Sequence, residues 1–233
     1  MYYYDLLLYP VTARSVRALM IGTVLASRAI RLALWLLAHL FFKIRIIGAD
    51  HIPAQGGALL VSNHVSYADA ILIGCATPRF IRFLIWQPLY EIKWLNPFCR
   101  LLFAIPLPTG SPKETLRALG RARRELDQGR LVCIFPEGEM ARTPHMKPFE
   151  RGVEVITRGL NSAPVIPVYL DGLWGHALSR KGGRVFASRL KLRHKVTVSI
   201  GQPVFSDSKP DNLDAEHLYQ RVYELGAQTR RAR

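Results

Sequence analysis

The run Ser62-Asn63-His64-Val65-Ser66-Tyr67-Ala68-Asp69 holds the residue types of a general base. It follows the apolar stretch GALLV at 57–61, so His64 falls just past the end of a candidate strand. Ligand sites in α/β folds gather at the carboxyl ends of strands, where a histidine faces a cleft rather than the core. Ser66 can cap a helix beginning ADAILIGCA, which puts Asp69 in the first turn and lets its carboxylate fold back on His64. A carboxylate that holds a neutral imidazole in one tautomer leaves the second ring nitrogen free to take a proton. Asp69 would then have the orienting part of a Ser-His-Asp triad without an enzyme nucleophile, so the activated hydroxyl would belong to the substrate. The same pair also describes a capped helix beside a hydrogen-bonded loop histidine, and by itself it does not choose between the two.

Two further motifs bear on that choice. Phe135-Pro136-Glu137-Gly138 closes another candidate strand, LVCIF at 131–135; proline ends the pairing and glycine permits a close turn, which presents Glu137 at the same sheet edge as His64. Val165-Ile166-Pro167-Val168 interrupts a third apolar run with a proline, as expected at an edge strand or a site wall.

These residues need a scaffold, and short apolar runs alternating with helical stretches supply one after residue 42. Candidate strands are 42–47, 57–61, 80–85, 103–107, 131–135, 165–170 and 196–200. Seven strands interspersed with helices predict an α/β domain: a mixed, largely parallel sheet flanked by helices. The best-defined helix covers 112–127, where Ser111 and Glu114 form a Ser-x-x-Glu capping box around Pro112 and the apolar positions are Leu116, Leu119, Ala122 and Leu126. A second helical stretch, LDAEHLYQRVYELG, leads to a tail expected to fray at Arg230, Arg231 and Arg233.

Residues 18–42 are apolar but carry Arg28 and Arg31 near the middle. Arginine at mid-bilayer costs about 2.5 to 3.5 kcal/mol, which disfavours a simple span. The segment divides into apolar runs at 18–27 and 32–42, which predicts a monotopic anchor or re-entrant helix pair with its arginines at anionic headgroups. The alternative is a pair of soluble helices packed on the domain. The expected organisation is therefore membrane-associating helices over 1–42 and a catalytic domain over 43–233.

The 233 residues are 49% hydrophobic, which excludes a disordered chain, and an excess of 32 Lys plus Arg over 17 Asp plus Glu gives a net charge of +15. Such a surface favours nucleic acid, anionic lipid or a phosphorylated small substrate. Three widely spaced cysteines, Cys75, Cys99 and Cys133, each flanked by apolar residues, read as reduced core residues of a cytoplasm-facing protein.

In this order NHVSYAD, FPEG and VIPV resemble the first, third and fourth motifs of the glycerolipid acyltransferase family, which includes 1-acylglycerol-3-phosphate and lysophospholipid acyltransferases. The resemblance covers roughly residues 45–205. It implies that His64 and Asp69 are the catalytic pair and that Glu137 and Gly138 contact the acyl acceptor. It also implies a lysophospholipid or lysophosphatidate acceptor and a thioester co-substrate, acyl-CoA or acyl carrier protein, with no bound cofactor. The enzyme would work at membrane lipids on the cytoplasmic face of the inner membrane.

The chain departs from the family pattern in two places. The second motif usually ends in an arginine that holds the acceptor phosphate, whereas LLFAIPLPTGSPKE at 101–114 has none. The third often continues glycine, threonine, arginine, and here it reads Gly138-Glu139-Met140-Ala141-Arg142. Arg142, Lys147, Arg100 and Lys113 are the candidate replacements, with Arg142 best placed after the FPEG turn. This variation resembles the acyltransferase half of bifunctional 2-acylglycerophosphoethanolamine acyltransferase/acyl-carrier-protein synthetases.

Other features point less sharply. Between 180 and 195 there are seven cations and no acid, which suits anionic lipid, an acidic carrier protein or plain solvation. His145, His176, His194 and His217 lack paired metal spacing, so no metal is expected. Trp86, Trp94 and Phe98 could border an acyl tunnel, though aromatic residues at such spacing are more often core. Without a regular aromatic platform in a basic patch, nucleic acid is not expected as a partner. Two other functions fit the same residues: a thioester or ester hydrolase using the His-Asp pair on water, and a non-catalytic basic module binding membrane or nucleic acid.

Overall fold

A computed structural model describes residues 13–158, 160, 163–181, 192–205 and 213–232, with side chains from residue 21 onward. The strands are β1 (Phe42–Ile47), β2 (Ala58–Ser62), β3 (Ile81–Trp86), β4 (Ile105–Leu107), β5 (Leu131–Ile134), β6 (Val165–Asp171) and β7 (His194–Ile200). The helices are α1 (Ala13–Phe41), α2 (Asp69–Gly74), α3 (Gln87–Tyr90), α4 (Asn96–Leu101), α5 (Pro112–Asp127), α6 (Gly152–Thr157) and α7 (Ala215–Arg231).

All seven expected strands are present, with ends within two residues of those read from the sequence, in one sheet of order β1-β7-β6-β2-β5-β3-β4. β6, β2, β5, β3 and β4 run parallel, while β7 is antiparallel to β6 and parallel to β1. The central strands are buried on both faces, which is why they read as continuous apolar runs rather than alternating ones.

Side chains of period two divide the core between the faces of the sheet. Leu59, Val61, Val132, Ile134 and Val165 meet Leu119, Ala122 and Leu126 of α5, Val153 and Ile156 of α6, and Leu218 and Val222 of α7. On the other face Ala58, Leu60, Cys133, Ile166 and Val168 meet Leu72 and Ile73 of α2. Cys99 and Cys133 are buried and Cys75 half-buried, all three unpaired, and burial raises each thiol above its ordinary value.

Four expectations change. The N-terminal segment is one continuous helix, not two, because 18–42 holds no proline and arginine is a good helix former. Arg31 does not reach outward either: its guanidinium donates to the Thr77 carbonyl, while buried Ser27 donates to Leu101 O at 2.8 Å. Pro167 lies in an interior strand. It stands one residue past the last β6–β7 pair, Val168 with Ile200, and its carbonyl accepts Gly201 N at 2.8 Å where the absent N–H would have completed the exchange. The tail does not fray at Arg230, whose guanidinium lies 5.4 Å over the Tyr169 ring centroid and holds α7 to β6. Finally, Trp86, Trp94 and Phe98 are neither core nor an enclosed tunnel, being 57%, 70% and 46% exposed.

Candidate active site

Five parallel strands deliver their carboxyl ends to one edge, and β2, at the centre between β6 and β5, places residues 63 and 64 there. Asn63 continues the ladder with its side chain: Nδ2 donates to Leu170 O at 3.1 Å, and Oδ1 accepts Leu170 N at 2.8 Å. A carboxamide presents donor and acceptor on neighbouring atoms as a peptide group does, so Asn63 seals the chain to β6 just before the histidine. No role for Asn63 was read from the sequence; its signal was an amide directly after a buried strand.

His64 Nδ1 donates to Asp69 Oδ2 at 2.7 Å, as the sequence reading expected. The local helix start differs from that reading. α2 begins at Asp69 with Ala68 as the capping residue, and Ser66 Oγ accepts only Ala68 N, at 3.1 Å. Asp69 caps no amide of the helix; it ties down the loop before it, its Oδ2 accepting Val65 N at 2.7 Å and Ser66 N at 2.9 Å besides the imidazole. Three donors on one oxygen orient the fully buried carboxylate rigidly. Its Oδ1 is buried with no partner among the described residues, a polar group left unsatisfied beside His64.

The His64 ring lies on Phe135, centroids 4.3 Å apart at 19°, with its side chain 23% exposed. Nδ1 is occupied by Asp69, and Nε2 makes no hydrogen bond among the described residues. The imidazole is thus oriented from one side and open on the other.

Glu137 reaches the same edge by an independent route. β5 ends at Ile134, Pro136 stops the strand, and Gly138 at φ 71° turns the chain, with its N–H on Phe135 O at 3.2 Å. The Glu137 carboxylate points inward: Oε1 accepts His64 N at 2.8 Å and Oε2 accepts Lys147 N at 3.0 Å. Since Ala141 N donates to His64 O at 2.8 Å, both backbone groups of His64 are held by the 137–147 loop. Glu137 therefore builds the site through main chain, a part that residue type and spacing did not disclose.

Burial pushes the Glu137 carboxyl up to about 7 from an ordinary 4.5, against the two amides and nearby His64, which favour the charged form. The folded chain keeps this proton over a range in which the unfolded chain has released it. Stability from Glu137 is therefore complete below pH 4.5 and is lost as pH rises through about 7. Urea unfolding at pH 5 and pH 7.5 should show the parent losing roughly 1 to 3 kcal/mol more than Glu137→Gln over this interval. Equal losses in both proteins would refute the assignment.

The replacement phosphate ligands have different surroundings. Arg142 Nη2 and Lys147 Nζ both pair with Glu139, each at 2.9 Å, on the exposed side of the 137–147 loop. Their cations lower the Glu139 carboxyl below its ordinary value, the Lys147 hydrogen bond first. An incoming phosphate would share these cations with a carboxylate. Arg100 lies at the end of α4 and Lys113 at the start of α5, on other elements. Of the basic run at 180–195, residues 182–191 fall outside the described residues.

The chemistry assembled here is a buried carboxylate, an oriented imidazole and a flanking pair of surface cations, at the edge where α/β sheets bind ligands. Known proteins resemble the chain in sequence and in fold. The chain is 26% identical over 191 residues to the 1-acyl-sn-glycerol-3-phosphate acyltransferase of Bacillus subtilis, covering 78% of this chain and 87% of that one. It is 20% identical to the probable 1-acyl-sn-glycerol-3-phosphate acyltransferase of Mycoplasma pneumoniae over 80% of this chain and 71% of the other. Its fold matches the crystal structure of PlsC, the 1-acyl-sn-glycerophosphate (LPA) acyltransferase of Thermotoga maritima, with TM-score 0.65 and 21% identity over 88% of this chain and 79% of that one. The Acyltransferase family model matches residues 43–171, the stretch from β1 to the end of β6 that carries His64, Asp69 and Glu137, and the chain belongs to that family.

Proposed function

We propose that this protein transfers a fatty acyl group from a thioester, acyl-CoA or acyl carrier protein, to the free hydroxyl of a lysophosphatidate or related lysophospholipid. The observation that carries the reading is the His64 Nδ1 to Asp69 Oδ2 bond of 2.7 Å, which turns Nε2 to the open edge of the sheet. Nε2 takes the hydroxyl proton as the lipid oxygen attacks the thioester carbonyl, and Asp69 stabilises the imidazolium. Collapse of the tetrahedral intermediate breaks the carbon–sulfur bond, and the proton passes from His64 to the departing thiolate. The products are one ester and one thiol, with no bound cofactor. Acceptors named for the similar proteins carry a phosphate, and Arg142 and Lys147 are the cations of the 137–147 loop that would meet it.

The site would work at a lipid surface, on the cytoplasmic face of the membrane. α1 supports the lipid surface: Ile21–Phe41 is long and apolar enough to cross a bilayer, although Arg28 and His39 are exposed along it. Ser27 and Arg31 bond to the domain, while Ile21, Val24, Leu25, Leu32, Leu36 and Leu40 are exposed. A helix with its apolar face outward matches a lipid environment.

The test is mass spectrometry of products from purified protein in mixed micelles, supplied with oleoyl-CoA or oleoyl-acyl carrier protein and a panel of lysophospholipids. A diacyl lipid formed by the parent is the expected result. Free fatty acid whether or not a lysolipid is present would replace the transferase with a hydrolase.

A further inference from the structure

The spacing of α5 assigns Leu116 to the buried stripe, but the structure leaves it 53% exposed, although Leu119, Ala122 and Leu126 are buried as expected. Beside it Lys113, Arg117, Arg121 and Arg124 run along the outer face at steps of three and four, and all four are exposed. None of them forms an ion pair among the described residues; the one α5 carboxylate that does, Glu125, is held by Arg82 and Arg130. Gly120 sits between Leu116 and Arg124 with only the Arg124 side chain near the position of a Cβ. Lys113, Leu116, Arg117, Gly120 and Arg124 thereby line an open groove with a cationic rim and one apolar side chain.

Three observations limit what this groove can meet. The cations from Lys113 to Arg124 extend over about 16 Å of helix, too far for a single phosphate to touch them all. α5 covers the sheet face opposite to α2, whereas α1, the helix with the exposed apolar face, packs on α2 and α4. A membrane that receives α1 is therefore on the other side of the domain from this stripe. Lastly, α5 follows β4, which runs parallel to β2, so its first turn lies at the sheet edge that carries His64 and the rest leads away from it.

We infer that the outer face of α5 docks an acidic protein, and that this protein is the carrier of the thioester; the inference rests on the acyl-transfer reading of His64. The guanidinium groups steer an acidic helix to the stripe, and Leu116 supplies the apolar contact at its border. From there a tethered acyl thioester enters the edge at which His64 is open.

The experiment compares the parent with the double variant Arg117→Glu, Arg124→Glu, neither residue being part of the catalytic site. Binding of oleoyl-acyl carrier protein is measured by fluorescence anisotropy, and kcat/KM is measured with that donor and with oleoyl-CoA, at low and high salt. In the variant, carrier-protein affinity and kcat/KM should each fall at least about 10-fold at low salt, with the gap narrowing at high salt, while kcat/KM for oleoyl-CoA stays within about twofold. Failure of the parent to bind the carrier protein overturns the inference. So does an equal loss with both donors, which would make the stripe a site for nucleotide phosphates, or a loss of binding to anionic vesicles, which would make it a membrane contact. Product formed by the parent from neither donor would instead refute the acyl-transfer reading, and the anisotropy would still decide the docking. A thermal melt within about 3 °C of the parent shows that the variant is folded.

Discussion

His64→Ala is expected to lower kcat by about 10²- to 10⁴-fold, the usual contribution of a positioned general base. The protein should remain folded, because the bonds that hold residue 64 are made by main chain: its N–H to Glu137 and its carbonyl from Ala141. What the substitution removes is the imidazole, its contact with Phe135 and its bond to Asp69. Initial rates of diacyl-lipid formation, with circular dichroism of both proteins, check this. A folded variant within a factor of ten of the parent would remove His64 from the chemistry.

Asp69→Asn separates charge from geometry. The asparagine oxygen can still accept the bonds now made by Oδ2, from His64, Val65 N and Ser66 N, with its amide nitrogen in the place of Oδ1. The lost element is the negative charge that stabilises the imidazolium as the lipid oxygen attacks. We expect kcat to fall by roughly 10²- to 10⁴-fold with KM for both substrates nearly unchanged, the behaviour of an interaction made in the transition state. A rise in KM without loss of kcat would reduce Asp69 to a loop anchor. Asp69→Ala is a different perturbation: it strips the Val65 and Ser66 amides of their acceptor and should destabilise the 64–68 loop that leads into α2 as well.

How much of this was legible depends on the range of each interaction. The strands were readable because interior parallel strands are buried on both faces and appear as unbroken apolar runs, as in ALLVS and LVCI. The His64–Asp69 pair was readable because it closes within five residues, inside one strand-to-helix connection. Glu137 was placed at the correct edge by the strand and the proline, but its partners were not, since they lie 73 positions before it and 10 after it. Arg142 and Lys147 were marked for their charge, while the carboxylate of Glu139 that joins them emerges only from how the loop folds.

The residues alone determined the α/β class, the strand positions, the carboxyl-end location of the histidine and the identity of its carboxylate. These follow from local periodicity and from contacts a few residues apart, where the chain has little freedom. Tertiary structure decided orientation. An apolar stripe on a helix satisfies a core or a lipid surface equally, so the sequence of α1 could not say that Ser27 and Arg31 face the protein and its leucines face outward. Nor could the spacing of α5 place Leu116 on the outside, because a residue at the border of a helical face is buried only if the neighbouring layer extends far enough to cover it.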